Sequence, residues 1–211
     1  MKNIELLDEG ITHDLLVVAF DMCSSSKLIE DLSRTNSLIA YDRLLKNLHL
    51  WLWSNAKKRN FIVYKFTGDG WILLFPVSMI DGDSLMSFLV NLSKKHNAFR
   101  EKIVDSHLES IPPSLGLTFG IEMGTLRKFV LGKEIEFAGR ALNVACRLQA
   151  AVKDKGSEPD YRCLFSRKVF NTYLKDVEKF QFLDVERSLR NISDGERYRC
   201  VKANLSKHAH T

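Results

Sequence analysis

The chain has 211 residues, of which 45% are hydrophobic and 27% charged, and a formal net charge of +5. That balance excludes an intrinsically disordered chain and a collagen-like repeat, and the length fits one ordinary domain or two very small ones. A pI near 9.0 permits an anionic partner without naming one.

The longest apolar runs, 15–20 and 71–77, are too short to cross a bilayer, so no membrane partner is expected. The first residues show no basic flank followed by an apolar core, so no signal peptide is read and a cytoplasmic protein is expected. Cys23, Cys146, Cys163 and Cys200 lack metal-ligand spacing and read as free thiols. No zinc finger or RNP-type aromatic motif is present, and no nucleic-acid partner is expected. The basic clusters 57–59 and 94–95 read as solvated helix ends.

Residues 15–21, LLVVAFD, are an apolar run closed by an acid, the pattern of a buried strand. Residues 22–26 are small and turn-like. Leu38, Tyr41, Leu45, Leu48 and Leu52 recur at steps of three and four, which predicts a helix over about 36–57. Two β-rich runs, FIVYKF and WILLF, flank Thr67-Gly68-Asp69-Gly70, a natural hairpin turn. Asp81-Gly82-Asp83-Ser84 is a helix N-cap signal. The helix after it places Leu85, Phe88, Leu89, Leu92, Phe99 and Ile103 on one stripe, and Pro112-Pro113 closes it. Residues 115–124 and 128–132 read as two strands, 138–152 as a helix and 153–160 as a loop. A strand at 161–165, a short helix at 167–175 and strands near 180–185 and 196–201 complete the chain.

The order β-α-α-β-β-α-β-β-α-β-α-β-β predicts an α+β protein with a ferredoxin-like βαββαβ core and C-terminal additions. It reads as one domain over 1–206, with a disordered tail at 207–211.

Three groups of residues stand out chemically. Asp21 closes a buried strand, and Asp69 sits in a tight turn 48 positions later. Buried acids are costly unless paired, capped or bound to metal, and two together suit Mg²⁺ or Mn²⁺ with a nucleotide phosphate. Taken separately, Asp69 is also a favoured hairpin residue and Asp21 a turn cap. Asn143 and Arg147 lie four apart on one helix face; Arg suits phosphate oxygens, and an exposed surface pair is equally consistent. Lys65 and Glu136 would read complementary edges of a base, form a structural salt bridge, or stand exposed.

In their joint order, VVAFD (17–21), YKFTGDGWILLF (64–75), LGLTFGIEMG (115–124) and FAGRALNVACRLQ (137–149) resemble the catalytic domain of class III nucleotidyl cyclases. The resemblance implies that Asp21, Asp69 and the backbone carbonyl of Met22 bind two divalent ions, Mg²⁺ or Mn²⁺. It implies that Lys65 and Glu136 select the base, where adenylate cyclases usually have Asp at the second position. Asn143 would orient the ribose, and Arg147 would stabilise the reacting phosphate. It further implies a homodimer, in which one protomer supplies the two aspartates and its partner the other four side chains. The substrate would be a nucleoside triphosphate, cyclised with loss of pyrophosphate.

Some positions depart from the family. Ser24-Ser25-Ser26 replaces the usual G-F-T, Phe129 stands where a glycine is common, and the segment between Gly132 and Glu136 is short. Lys133 is a candidate substitute for a phosphate-binding basic residue there. The combination resembles the stand-alone pyrimidine cyclases of bacterial Pycsar antiphage defence. That implies UTP or CTP as substrate, with an adenylate cyclase or an inactive nucleotide-binding relative as alternatives.

Overall fold

The computed structural model describes residues 10–112, 114–152 and 161–206; the predicted loop 153–160 and tail 207–211 lie outside them. The chain order begins β1 (Thr12–Met22), α1 (Ser25–Arg34), α2 (Leu38–Arg59), β2 (Ile62–Phe66), β3 (Gly70–Pro76) and α3 (Gly82–Ile103). It continues with β4 (Leu117–Leu131), β5 (Glu134–Ala138), α4 (Arg140–Ala150), β6 (Arg162–Ser166), α5 (Arg167–Val169), β7 (Phe182–Arg187) and β8 (Tyr198–Asn204).

One sheet runs β2-β3-β1-β4-β6-β8-β7, with β5 paired to β4. Its first four strands are antiparallel neighbours, the ferredoxin-like arrangement expected from the element order. β6 adds parallel to β4, and β8 and β7 extend the edge antiparallel.

β1 is buried throughout 15–20 because helices cover both faces of the sheet. Its side chains alternate between the faces. Leu16, Val18, Phe20 and Met22 enter the core shared with α1, α2 and α3. Leu15, Val17 and Ala19 enter a second core with Ala141 and Ala145 of α4. Asp21, two residues after Ala19, therefore falls on the α4 face.

α2 buries Ala40, Tyr41, Leu44, Leu48, Leu52 and Ala56, while Leu38, expected in the stripe, is 45% exposed. The buried face is turned slightly from the predicted one, with Leu45 at its margin. The helix stops at Asn60, which adopts the left-handed conformation (φ 54°) that ends many helices. α3 starts as predicted, with the Asp81 carboxylate accepting from the Ser84 N–H at 2.7 Å. It ends at Ile103, well before Pro112; Arg100 then reaches Asp105 at 3.4 Å across a 3₁₀ turn.

The two strands predicted at 115–124 and 128–132 are one 15-residue strand, β4. The break comes at Gly132 (φ 64°), and the hairpin's second arm is β5. Gly124 does not interrupt pairing: it lies opposite Leu15 of β1. Two buried carboxylates pin this scaffold. Asp31 accepts from the backbone N–H of Glu109 at 2.8 Å, and Glu122 accepts from Ser166 at 2.6 Å and Tyr198 at 2.8 Å. None of the four cysteines forms a disulfide among the described residues.

Gly120 lets α4 lie directly on β4. A Cβ there would stand 2.1 Å from the Ala145 carbonyl oxygen and 2.2 Å from the Gln149 nitrogen. Gly120→Ala is expected to destabilise the fold by about 1–3 kcal/mol, because backbone cannot yield as a flexible side chain does. Urea unfolding of the variant beside the parent checks this.

Candidate active site

Register brings the two acids together. Asp21 pairs with Gly70 across β1 and β3, which sets the Asp69 turn beside the end of β1. The Asp69 carboxylate lies close enough to Asp21 to act on its ionisation. Burial, followed by the Asp69 side chain and its charge, raises the pKa of Asp21 from 3.8 to about 7. The Met22 backbone and the Gln149 side chain, which donates to Thr118 at 2.9 Å, oppose the rise.

On the far side of the pair, the Ser25 hydroxyl donates to Asp69. Tyr41 of α2 also stands close. Burial and the charges of Asp69 and Asp21 push its phenol up to about 12, and its hydroxyl has no hydrogen-bond partner among the described residues. A cavity of about 270 Å³ opens over the acids, lined also by Thr67, Cys146 and Gln149.

The second group forms around Glu136. Both Lys65 and Tyr64 bond its carboxylate, and the Tyr64 oxygen in turn accepts from the Phe137 N–H at 3.0 Å. Adjacent strand residues ordinarily point to opposite faces. Here the β2–β3 register shifts between Val63 and Lys65, and the irregularity lets both side chains reach one carboxylate. Burial and the Glu136 contact raise the Tyr64 phenol to about 12, so it remains a donor at neutral pH.

The third group is separate. α4 buries Ala141, Val144, Ala145 and Leu148, leaving Asn143 and Arg147 exposed on its outer side. Neither makes a side-chain hydrogen bond or ion pair among the described residues. The structure thus joins Asp21 with Asp69 and Lys65 with Glu136, and turns Asn143 and Arg147 outward. Met22 packs its side chain in the α1–α3 core, leaving only its backbone for the site.

Ser25, Tyr41, Tyr64 and Gln149 were not among the expected site residues. Tyr41 reads in sequence as a helix-stripe residue and Tyr64 as a strand residue. Ser25 stands out only as a departure from a pattern, and Gln149 carries no signal.

The donor set fits a hard divalent cation. Two carboxylates held close together are relieved by a cation bound to both. No cluster of three His, Cys, Asp or Glu exists among the described residues. Mg²⁺ takes one or two carboxylates and completes its shell with water and phosphate, a demand the two acids would meet.

No family model and no curated protein matches the chain. Solved structures do. The adenylyl cyclase CyaB from P. aeruginosa superposes with a TM-score of 0.68 at 19% identity, over 92% of this chain and 94% of that one. The guanylyl cyclase Cya2 gives 0.67 at 12% identity, over 93% and 94%. The catalytic core of a rhodopsin-guanylyl cyclase with converted specificity, solved with ATPαS, gives 0.64 at 15% identity, over 94% and 99%. The fold is that of the class III cyclase catalytic domain. No helix is long and apolar enough to cross a membrane among the described residues.

The raised Asp21 pKa has a definite sign for stability. The folded state holds the proton more tightly than the unfolded chain, so this group's stabilisation is present below pH 3.8 and is lost as pH rises to about 7. In metal-free protein at pH 8, Asp21→Asn should therefore raise the thermal midpoint, with little gain at pH 4. Mn²⁺ should raise the parent's midpoint at pH 8 and leave the variant's unchanged. Scanning calorimetry with and without chelator measures both.

Proposed function

We propose that this protein is a nucleotidyl cyclase. It converts a nucleoside triphosphate, UTP or CTP in preference, into the 3′,5′-cyclic monophosphate and pyrophosphate, as a homodimer with composite sites. The observation that carries this reading is the meeting of Asp21 and Asp69, 48 positions apart, beneath an open cavity. That they meet on a cyclase-type fold supports it.

In the reaction, the ribose 3′-oxygen forms a bond to the α-phosphorus as the bond to pyrophosphate breaks, and the hydroxyl proton passes to solvent. Divalent ions held by Asp21, Asp69 and the Met22 carbonyl would supply Lewis-acid activation of the hydroxyl and neutralise the phosphates. Asp21 must first give up its proton. Arg147, from the partner protomer, donates to the α-phosphate where charge grows. Asn143 holds the ribose so that attack is in line. No protein nucleophile is needed.

The outward stance of Asn143 and Arg147 supports the dimer. Side chains that bond no group among the described residues are available to complete a neighbour's site. Lys65 donates and Glu136 accepts at the base edge, with Tyr64 fixing the carboxylate. Glu extends one methylene beyond the Asp usual in adenylate cyclases, which favours the smaller pyrimidine ring. The likeness to Pycsar cyclases extends the proposal to a messenger made in antiphage defence for a separate effector. The altered serine loop and the short segment around Lys133 support that extension.

Incubation with each of the four nucleoside triphosphates and Mn²⁺ should yield cUMP or cCMP fastest, read by product chromatography. Clear preference for ATP rejects the pyrimidine assignment. Arg147→Ala should slow turnover roughly 10²–10³-fold, the usual cost of one preorganised donor. Asp21→Ala and Arg147→Ala proteins, each nearly inactive, should recover about a quarter of parental activity when mixed, because half the dimers then hold one intact site. No recovery on mixing refutes the composite site.

A further inference from the structure

The two basic clusters that read as separate solvated helix ends come together in the fold. Arg59 of α2 and Lys94 and Lys95 of α3 line one groove of about 440 Å³ between the two helices. Trp51 forms its wall, stacked on Phe88 with ring centroids 6.1 Å apart. Asn91 adds an exposed amide.

The groove's lining holds three cations and no carboxylate, and the helices around it are basic. Residues 43–59 hold five Lys or Arg, and residues 84–100 hold three, with no Asp or Glu in either stretch. That excess exceeds the +5 of the whole chain, so the remainder of the molecule is net acidic. Arg100 is paired, to Glu101 and Asp105. Arg59, Lys94 and Lys95 have no carboxylate partner among the described residues, while Lys95 also lies 5.4 Å from the Phe99 ring. Three unneutralised cations in one concave groove repel each other and gain from a polyanion.

We infer that the groove between α2 and α3 is a binding site for single-stranded nucleic acid, with Arg59, Lys94 and Lys95 on the phosphates and Trp51 against a base. The shape selects among polyanions. Packed helices lie about 8–10 Å apart, so their groove admits a single strand and excludes a duplex. A flat anionic bilayer does not enter a concavity. An acidic peptide satisfies the cations but leaves the tryptophan wall without an apolar face to cover it. Cationic groove plus aromatic wall is the combination that binds single strands without sequence preference. This site is distinct from the acid pair, and its occupancy does not depend on the cyclase reading.

Fluorescence anisotropy of the full-length protein with labelled dT₁₂ and rU₁₂ tests the site. Binding is expected at 50 mM salt, falling with a log–log salt slope of about −2 for three phosphate contacts. Trp51 emission should be quenched on binding. The Lys94→Glu, Lys95→Glu double variant should bind at least roughly tenfold more weakly with a slope reduced to about −0.7, and its nucleotide turnover should be unchanged. Should that variant not fold, Arg59→Gln alone should cut affinity and slope in the same direction. No binding at 50 mM salt, or binding that these substitutions leave intact, overturns the proposal. Equal competition by polyglutamate or by phosphatidylserine vesicles overturns it in favour of an acidic protein or a membrane surface.

Discussion

Two carboxyl groups close together at the edge of a low-dielectric core disfavour each other's charge, and the architecture around Asp21 is arranged to hold them there. Asp21 is fixed by β1, whose preceding six residues are all buried. Asp69 is fixed by a turn that can approach only because Gly70 has no side chain. A Cβ on Gly70 would stand 1.9 Å from the Phe20 carbonyl oxygen. Gly68, at φ 107°, supplies the left-handed step that closes the turn. The T-G-D-G segment is therefore a device for setting a charge against a strand end. The unfavourable pairing is sustained by the two cores that clamp β1, and a cation bound there would relieve it.

The remaining polar groups divide by how firmly they are held. Glu136 is restrained by Lys65 and by Tyr64, and Tyr64 by the Phe137 backbone, so one end of any bound base would meet a fixed donor–acceptor pair. Among the described residues, Asn143 and Arg147 are restrained only by the helix that carries them. That helix is seated closely, since α4 rests on Gly120 without an intervening side chain. Rigid placement of exposed groups is what a site completed across a subunit boundary requires, because the partner's geometry is then set by backbone rather than by mobile side chains.

Sequence patterning carried most of the fold because its strongest signals are local. The apolar run ending at Asp21, the G-D-G turn and the Asp81 cap each encode their own structure, and each was found in place. The misreadings fell where tertiary pairing overrides local propensity. Gly124 looked like punctuation, but β1 pairs on through it and β4 runs unbroken. Leu38 fitted the helical stripe, but the sheet sits slightly around the cylinder from it. At the site, ordered motifs exposed residues with obvious chemistry. Tyr64 stayed hidden because its role depends on a register shift, which no composition or periodicity announces. Ser25 and Tyr41 stayed hidden because their significance is proximity to Asp69 across the fold.

α2 links regions that otherwise share little. Near its start, Tyr41 stands beside the acid pair; midway, His49 stacks on Trp71, the residue after Gly70, with centroids 6.4 Å apart; towards its end, Trp51 and Arg59 line the basic groove. Leu44, Leu48 and Leu52 lock the same helix onto the sheet, so it moves as a body or not at all. A ligand in the groove would influence the acids only through a difference in its affinity for two positions of α2, and a metal at the acids would by linkage influence the groove to the same degree. The unpaired Tyr41 hydroxyl marks where such a second position has something to gain, since any shift that lets it donate to Asp69 recovers the cost of a buried orphan donor.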